Sequence, residues 1–110
     1  MQVTVMIIWH FKAAISQSCY RMIFDLRAGA MNQPGYICSD TLQSRDNPMK
    51  LTILSHWKDA QSWERWKSNP DRQSMAAKMD ACLDRPPEYE VYTALKLIDK
   101  LNKSQASATE

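Results

Sequence analysis

The segment from Val3 to Phe11 carries apolar side chains on both of its alternating faces. Its β-branched and aromatic residues are typical of a strand, and the run is too short for a buried helix. One face would present five apolar residues: Val3, Val5, Ile7, Trp9 and Phe11. The other face would present Met6 and Ile8. Such a strand needs cover on both faces, and one layer of helices covers only one of them.

The apolar spacing of residues 13–29 predicts a helix after this strand, with Gly29 suited to its C-cap. Its core-facing stripe consists of Ile15, Cys19, Met22, Ile23 and Leu26. A Pro-Gly turn then leads into a predicted hairpin, with strands at residues 36–43 and 49–57.

Asp59 occupies a helix N-cap position ahead of a short helix that carries Trp63 and Trp66. Pro70 suits the first position of a further helix that runs to about residue 83. An alternating run at residues 89–95 predicts the last strand.

The predicted order of elements is βαββαβ, which is the ferredoxin-like arrangement of an α+β fold. It gives an antiparallel four-stranded sheet with helices on one face. The apolar residues on the other face still need cover. We therefore expect a homodimer in which two sheets pack face to face through this open face.

The chain of 110 residues has a net charge of +2 and no cluster of basic residues. A charge this small does not indicate nucleic acid or an anionic membrane as a partner. No apolar run reaches the length that spans a bilayer, and the N-terminus makes a poor signal peptide. The three cysteines, Cys19, Cys38 and Cys82, are widely spaced and form no CxxC pair. Their odd number indicates buried thiols, a reducing compartment and hence a cytoplasmic protein.

The reactive residues are few, because the sequence contains no Gly-rich phosphate loop, GxSxG, HExxH or CxxC motif. His10 and His56 are its two histidines. Antiparallel pairing of the first and third strands would place His10 near Lys50 and His56 near Thr4. At about 3.3 Å per residue the two imidazoles would then lie roughly 20 Å apart. The sequence therefore predicts no two-histidine metal site and no bound metal.

The aromatic residues offer a second kind of site. Four tryptophans and two residues of the first helix would wall a flat apolar pocket between helices and sheet: Trp9, Trp57, Trp63, Trp66, Tyr20 and Phe24. A pocket of this kind suits planar organic ligands. The alternative is that these rings form part of the core.

An ordered set of short motifs resembles the antibiotic biosynthesis monooxygenase family. The set consists of PGY at 34–36, the Leu42–Pro48 hairpin, LSHW at 54–57, an acidic N-cap before Ala60, and WKSNP at 66–70. The resemblance covers about residues 3–95 and implies a dimeric α+β barrel of ferredoxin-like protomers. It also implies oxygenation of a quinol or aromatic substrate without metal, haem or flavin, and so no cofactor.

Haem-degrading enzymes of the same superfamily resemble the chain at Trp66. Their pattern also requires an Asn in the first strand and a haem-ligating His about ten residues after the tryptophan. The first strand here has no Asn, and Met75 and Ala76 stand near the position of that His. The sequence therefore does not favour haem degradation.

For the monooxygenase function, the resemblance implies that Trp66 lines the pocket and that Trp57 belongs to the core. We expect His10, at a strand end near the helix layer, to handle the substrate proton, with His56 as the second candidate. Arg72 is expected to hold an anionic substrate oxygen. The alternatives are a non-catalytic dimer that binds a small hydrophobic ligand, and an isomerase or degrading enzyme of a small carbonyl metabolite.

The ferredoxin-like domain is expected to cover residues 1–97. Residues 98–110 would then form a C-terminal extension that is largely disordered, because its last residues are low in hydrophobicity.

Overall fold

The computed structural model describes residues 1–102. Its elements in chain order are β1 (Val3–His10), α1 (Gln17–Met31), β2 (Tyr36–Gln43), β3 (Lys50–Trp57), α2 (Ala60–Lys67), α3 (Pro70–Met79), a 3₁₀ turn (Asp80–Cys82) and β4 (Glu88–Thr93). The strands form one sheet in the order β2-β3-β1-β4, and every neighbouring pair is antiparallel. The predicted ferredoxin-like α+β fold is confirmed.

Strand β1 lies between β3 and β4, and alternate residues along it are buried. The side chains of its odd-numbered residues pack beneath the helices and form the core with residues from β3, α1, α2 and α3. Within this core, Val5 is completely buried and Trp57 is 1% exposed. The pairing register also agrees with the sequence-based prediction, since His10 faces Lys50 and Thr4 faces His56.

The even-numbered residues of β1 lie on the sheet face that no helix of residues 1–102 covers, called the open face below. Met6 pairs with Leu54 near its centre, and Ile8 pairs with Thr52. Charged and polar residues surround this apolar centre: Asp40, Lys50, His10, Glu88 and Glu90. Tyr92 hydrogen-bonds Glu90 on this face, and that bond raises the pKa of the Tyr92 phenol.

The first helix begins and ends later than its apolar spacing predicts. Its N-cap is Ser16, whose hydroxyl accepts a hydrogen bond from the Cys19 amide at 3.2 Å. Its C-cap is Asn32. The prediction of Gly29 as the C-cap is wrong, because this glycine lies inside the helix where a tryptophan ring packs against it.

Gly35, in the turn before β2, has a φ of 88°, which few other residues tolerate. A Cβ at this position would also overlap the Ser62 side chain. The Gly35 carbonyl accepts a hydrogen bond from the Lys58 amide at 2.7 Å. The turn therefore holds the start of β2 tightly against the end of β3 and the start of α2.

The third helix ends at Met79, before the predicted residue 83, because a 3₁₀ turn follows it. The backbone then joins the end of β1: the Lys12 amide donates to the Cys82 carbonyl at 3.1 Å, and the Asp84 amide donates to the His10 carbonyl at 2.7 Å. Strand β4 likewise ends at Thr93, two residues earlier than predicted.

Residues 97–102 form a short helix beyond β4. Its apolar side chains are exposed, Leu97 by 67%. The predicted disorder of the extension concerns mainly residues 103–110, which lie outside the described residues.

The cysteines differ from the sequence-based prediction of buried thiols, because Cys19 and Cys82 form a disulfide. The fold brings the first turn of α1 beside the segment after α3, a proximity that their separation of 63 residues does not signal. Cys38 is a free cysteine, and it is exposed. Cysteine usage thus no longer indicates a reducing compartment, and the cytoplasmic location stays a prediction. No helix within residues 1–102 is both long and apolar enough to cross a membrane.

Loss of the Cys19–Cys82 bond is expected to destabilise the chain. A loop of 63 residues corresponds to about 4 kcal/mol of lost chain entropy in the unfolded state. We expect Cys82→Ser to lower the free energy of unfolding by roughly this amount in urea titrations, and Cys38→Ser to leave it unchanged. A reducing agent should remove the difference between wild type and Cys82→Ser. Equal stability of the two proteins under oxidising conditions would contradict the bond's contribution.

Candidate functional site

A cavity, called the main cavity below, lies between the helix-covered face of the sheet and the three helices. The volume open to the centres of water molecules is about 40 Å³, which is room for roughly three waters. Its lining comprises Ile7, Trp9, Ile23, Leu26, Arg27, Ala30, Tyr36, Ser39, Ile53, Ser55, Trp57, Trp63, Trp66 and Arg72. Most of these side chains are apolar, and aromatic rings predominate among the large ones.

All four tryptophans of the sequence line the main cavity. Trp9 and Trp57 reach it from the sheet, since both lie on the alternating set that faces the helices. Trp63 and Trp66 reach it from α2, where their spacing of three places both on the buried side of the helix. The sheet, with its two-residue period, and helix α2, with its 3.6-residue period, therefore supply tryptophans to opposite walls of the main cavity.

Helix α2 is held in place by its N-cap, as the sequence predicts. Asp59 accepts hydrogen bonds from the Ser62 hydroxyl at 2.7 Å and the Ser62 amide at 2.8 Å. These two bonds lower the pKa of the Asp59 carboxyl, so the cap remains ionised. The cap fixes the first turn of α2 and, with it, the positions of Trp63 and Trp66.

A small group of hydroxyls lies on the sheet side of the cavity. The Trp57 indole Nε1 donates to Ser55 Oγ at 3.0 Å. Tyr36 and Ser39, both on β2, share a hydrogen bond of 2.6 Å between their hydroxyls. These groups can orient a polar substituent of a ligand by donating or accepting a hydrogen bond.

Arg72 enters the cavity from the first turn of α3. Its guanidinium Nη2 donates to the Tyr89 hydroxyl at 3.3 Å. The guanidinium carbon also lies 5.3 Å from the Trp63 ring centroid and 5.6 Å from that of Tyr89. These contacts place a permanent positive charge beside the aromatic wall.

Gly29 permits the tryptophan wall to close against α1. A Cβ at this position would lie 2.6 Å from Cη2 of Trp66 and 3.1 Å from its Cζ2. The absence of a side chain at this position therefore determines how deeply the Trp66 indole enters the space between α1 and α2.

The structure brings five of the predicted site residues together: Trp9, Trp57, Trp63, Trp66 and Arg72 all line the main cavity. It separates two others from them. Tyr20 is 44% exposed and Phe24 is 61% exposed on the outer side of α1, and neither lines the cavity. Each follows a buried residue of the helix, Cys19 and Ile23 respectively, and one step along a helix rotates a side chain by about 100°.

The expected position of His10 near the helix layer is wrong, because both histidines project from the open face. His10 Nε2 lies 3.9 Å from Glu88 Oε1, and His56 Nδ1 lies 3.0 Å from Thr4 Oγ1. Neither histidine lines the main cavity. The sheet itself stands between these imidazoles and a ligand in the cavity of the same protomer.

Sequence reasoning missed the polar members of the cavity, Tyr36, Ser39, Ser55 and Arg27. One signal was available for Ser55, which shares the helix-facing alternation of β3 with Leu51 and Trp57. The positions of Tyr36 and Ser39 depend on a bulge between Tyr36 and Cys38, which changes the alternation of β2. The sequence carries no sign of that bulge.

Within residues 1–102, no three His, Cys, Asp or Glu side chains are grouped closely enough to hold a metal ion. The main cavity also has no carboxylate or imidazole among its lining residues. The polar side chains that line it are the hydroxyl-bearing Tyr36, Ser39 and Ser55 and the guanidinium-bearing Arg27 and Arg72.

Comparison with known proteins supports the resemblance found in the sequence. The family model of the antibiotic biosynthesis monooxygenases matches residues 16–78, which is more than half of the chain. No functionally curated protein matches the sequence.

Solved structures share the fold at low sequence identity. SnoaB, a cofactor-independent oxygenase from Streptomyces nogalater, is 20% identical with a TM-score of 0.77, over 86% of this chain and 94% of its own. A conserved protein from Methanosarcina mazei Go1 is 22% identical with a TM-score of 0.79, over the same shares of the two chains. Rv0793 from Mycobacterium tuberculosis is 14% identical with a TM-score of 0.77, over 87% of this chain and 97% of its own.

The contact between Gly29 and Trp66 can be tested by a double-mutant cycle. Alanine in place of glycine inside a helix normally stabilises a protein by about 1 kcal/mol. Here we expect Gly29→Ala to destabilise the chain, because overpacking against a buried ring costs about 1–3 kcal/mol. In a Trp66→Phe background, whose shorter ring lacks Cη2, the same substitution should become stabilising. Unfolding free energies of the four proteins measure the coupling, and additive effects would contradict the contact.

Proposed function

Because the chain belongs to the antibiotic biosynthesis monooxygenase family, we propose that it oxidises a small aromatic or quinol-type substrate with dioxygen, without metal, haem or flavin. A monooxygenase-type function follows from family membership. The finer proposal rests mainly on one observation, an aromatic cavity that contains a buried guanidinium. Such a cavity can hold a planar substrate and stabilise its anion.

Under this proposal, the substrate supplies all the electrons. A substrate with an acidic CH₂ group loses one proton to water through its own acidity, and the resulting enolate transfers one electron to dioxygen. The radical and superoxide then combine to form a C–O bond, and the peroxide anion takes a proton back from water. Loss of water from the hydroperoxide gives a ketone, so that R₂CH₂ and O₂ become R₂CO and H₂O. No external reductant is needed for this balance.

The residues of the main cavity would contribute position and charge. Trp63 and Trp66 would contact the planar rings of the substrate and exclude water from them. Arg72 would hold the oxygen that carries the negative charge of the enolate. Tyr36 and Ser39 would bind a polar substituent on the side of β2.

The cavity must widen to admit such a substrate, since its present volume suffices for only a few waters. Its apolar character is nevertheless suitable for the reaction, because an anion bound there interacts with Arg72 without competition from bulk water. Widening would involve α2 and α3, which carry Trp66 and Arg72 above the sheet.

Oxygen consumption tests the proposed reaction. Purified protein treated with a chelator is expected to consume dioxygen in the presence of an anthrone, a quinol or a catechol from a substrate panel. Arg72→Met should lower kcat/KM by about 100-fold, since removal of a single oxyanion donor has effects of this size. No oxygen uptake with any member of the panel would contradict the proposed substrate class.

His10→Gln and His56→Gln provide the comparison for this assay. Both histidines lie across the sheet from the cavity, so we expect kcat/KM to remain unchanged in each variant. A large loss in either variant, with the assembly state intact, would restore that histidine as a catalytic candidate.

The proposed assembly is a homodimer through the open face. Met6 and Leu54 form its apolar centre, and the charged residues around them resemble the rim of a protein interface. Face-to-face packing of two such sheets would cover the second side of β1 and complete a dimeric α+β barrel.

We expect Leu54→Glu to shift this dimer to monomer in size-exclusion chromatography with light scattering, because the carboxylate would be buried in the apolar centre. Phe24→Glu, a matched change at an exposed residue of α1, should leave the dimer intact. A monomeric wild-type protein would contradict the proposed assembly.

A dimeric binding protein for a small hydrophobic ligand remains the second candidate. The observation that favours it is the lack of a carboxylate or imidazole among the lining residues of the main cavity. Ligand binding without oxygen uptake would support this candidate. The same lack weighs against an isomerase, which must return a proton to its substrate through a group of suitable pKa.

A further inference from the structure

The Cys19–Cys82 disulfide lies at one end of the contact between α1 and α3. Cys19 belongs to the first turn of α1, and Cys82 ends the 3₁₀ turn that directly follows α3. The bond therefore ties the beginning of one helix to the chain just beyond the end of the other. Because both helices lie above the sheet, a movement of one away from the other changes the space beneath them.

A second, smaller cavity lies beside the main cavity on the α3 side. The volume open to the centres of water molecules is about 30 Å³, and its lining includes Met79 of α3 and Asp80 of the 3₁₀ turn. Three residues line both cavities: Leu26 from α1, Arg72 from α3 and Trp9 from the sheet. Side chains of α1 and α3 therefore lie between the two spaces.

The large apolar side chains that α3 contributes to the core are both methionines, Met75 and Met79. Met79 is 1% exposed and lines the smaller cavity. Met75 reaches α1, since its Cε lies 3.7 Å from the position that a Cβ of Gly29 would take. Methionine side chains are flexible and adapt to irregular gaps. The disulfide is therefore the rigid part of the contact between these two helices.

The two halves of the bond differ in exposure. Cys19 is 7% exposed, whereas Cys82 is only partly buried at the edge of the core. A thiol reagent therefore reaches Cys82 first, and Cys19 is the leaving group. A thiolate of Cys19 would lie in the first turn of a 15-residue helix, where the helix N-terminus favours negative charge. This position favours cleavage of the bond by thiol exchange.

We propose that the Cys19–Cys82 bond is a redox switch for the main cavity. When the bond is formed, it holds α1 and α3 together over two small, separate cavities. Its reduction lets the two helices separate, and the two cavities join into one larger space. The proposal concerns regulation and rests on the proposed function for the identification of the main cavity as the site, which in its closed form has room for only a few waters.

A dithiol supplies the electrons for this switch. One of its thiolates attacks the Cys82 sulfur, the bond between the two protein sulfurs breaks, and Cys19 leaves as a thiolate that takes up a proton. The second thiolate of the reagent then attacks the mixed disulfide and releases Cys82, which takes up another proton. The protein thus gains two electrons and two protons, and the dithiol becomes a cyclic disulfide.

Other contacts keep the ends of α3 in place when the bond is broken. The Lys12 amide donates to the Cys82 carbonyl at 3.1 Å, and the Asp84 amide donates to the His10 carbonyl at 2.7 Å, so the segment after α3 stays attached to the end of β1. At its other end, α3 is capped by Asn69. A typical domain is more stable than the contribution of one disulfide. Reduction therefore loosens the contact between two helices in a chain that stays folded.

Tryptophan fluorescence tests the opening without any ligand, because all four tryptophans line the main cavity and none is more than 4% exposed. Quenching by acrylamide, a small neutral molecule, is measured on oxidised protein and on protein reduced with dithiothreitol. Both samples carry Cys38→Ser, so that no third thiol exchanges with the bond. We expect the quenching constant to rise severalfold on reduction and to return to its first value on reoxidation.

Hydrogen exchange locates the opening in the chain. After reduction, the amides of α3 and of the first turn of α1 should exchange at least about tenfold faster, while those of β1 and β3 keep their protection, as in a local opening. A variant that combines Cys19→Ser, Cys38→Ser and Cys82→Ser is the matched control. It should behave like the reduced protein whether or not dithiothreitol is present.

Equal quenching and equal exchange in the two redox states would overturn the proposal. So would a bond that dithiothreitol does not reduce in the folded protein, or a loss of protection that extends to β1 and β3, since the bond would then be purely structural. The oxygenase proposal fails separately, because neither measurement needs turnover. A protein that opens on reduction yet consumes no oxygen keeps the switch and loses the reaction, and oxygen uptake by a protein that does not open keeps the reaction and loses the switch.

Discussion

The fold depends on the placement of one strand that is apolar on both sides. Strand β1 lies between β3 and β4, so its backbone hydrogen bonds are satisfied on both edges. Its odd-numbered side chains are covered by helices, and its even-numbered side chains meet no helix of residues 1–102. Every other element follows from this constraint. The helices gather on one face, and the opposite face retains an apolar centre with Met6 and Leu54 as its middle pair.

The main cavity results from the way in which the helices cover the sheet. Large rings enter the space between the layers from both sides, Trp9 and Trp57 from the sheet and Trp63 and Trp66 from α2. Because Gly29 has no side chain, the Trp66 ring can pack closely against α1. The Asp59 cap fixes the start of α2. The polar groups that remain between the layers, Ser55 and Arg72 among them, therefore border a confined space.

Much of this architecture could be predicted from the sequence, because alternation along a strand is a strong signal. It predicts that Trp9 shares one face with Val3, Val5 and Ile7, and antiparallel pairing of the first and third strands predicts that His10 lies near Lys50, as the structure shows. The same alternation, applied consistently, also places His10 opposite Trp9 and His56 opposite Trp57. The expectation that His10 lies near the helix layer disregards this two-residue period.

Other features lay beyond sequence reasoning because they arise from tertiary approach. The Cys19–Cys82 bond joins residues with no characteristic spacing, and Gly29 reads as a helix terminator unless the position of Trp66 is known. Helical rotation explains Tyr20 and Phe24: each lies one residue beyond a core position, so a broad apolar stripe overestimated the buried face. Local pattern therefore predicted the layers, while the contacts between layers required the structure.

Charge is the final constraint on what the cavity can do. An apolar interior disfavours any ion, yet this one contains a guanidinium that cannot give up its proton. A carboxylate from the protein would neutralise Arg72 and stabilise the fold, but it would also occupy the donors that a ligand needs. Among residues 1–102 no side chain of opposite sign pairs with the guanidinium, and the Tyr89 hydroxyl and the rings of Trp63 and Tyr89 compensate part of the lost hydration instead. The anion of an aromatic substrate, as proposed above, would give this charge the partner that it lacks.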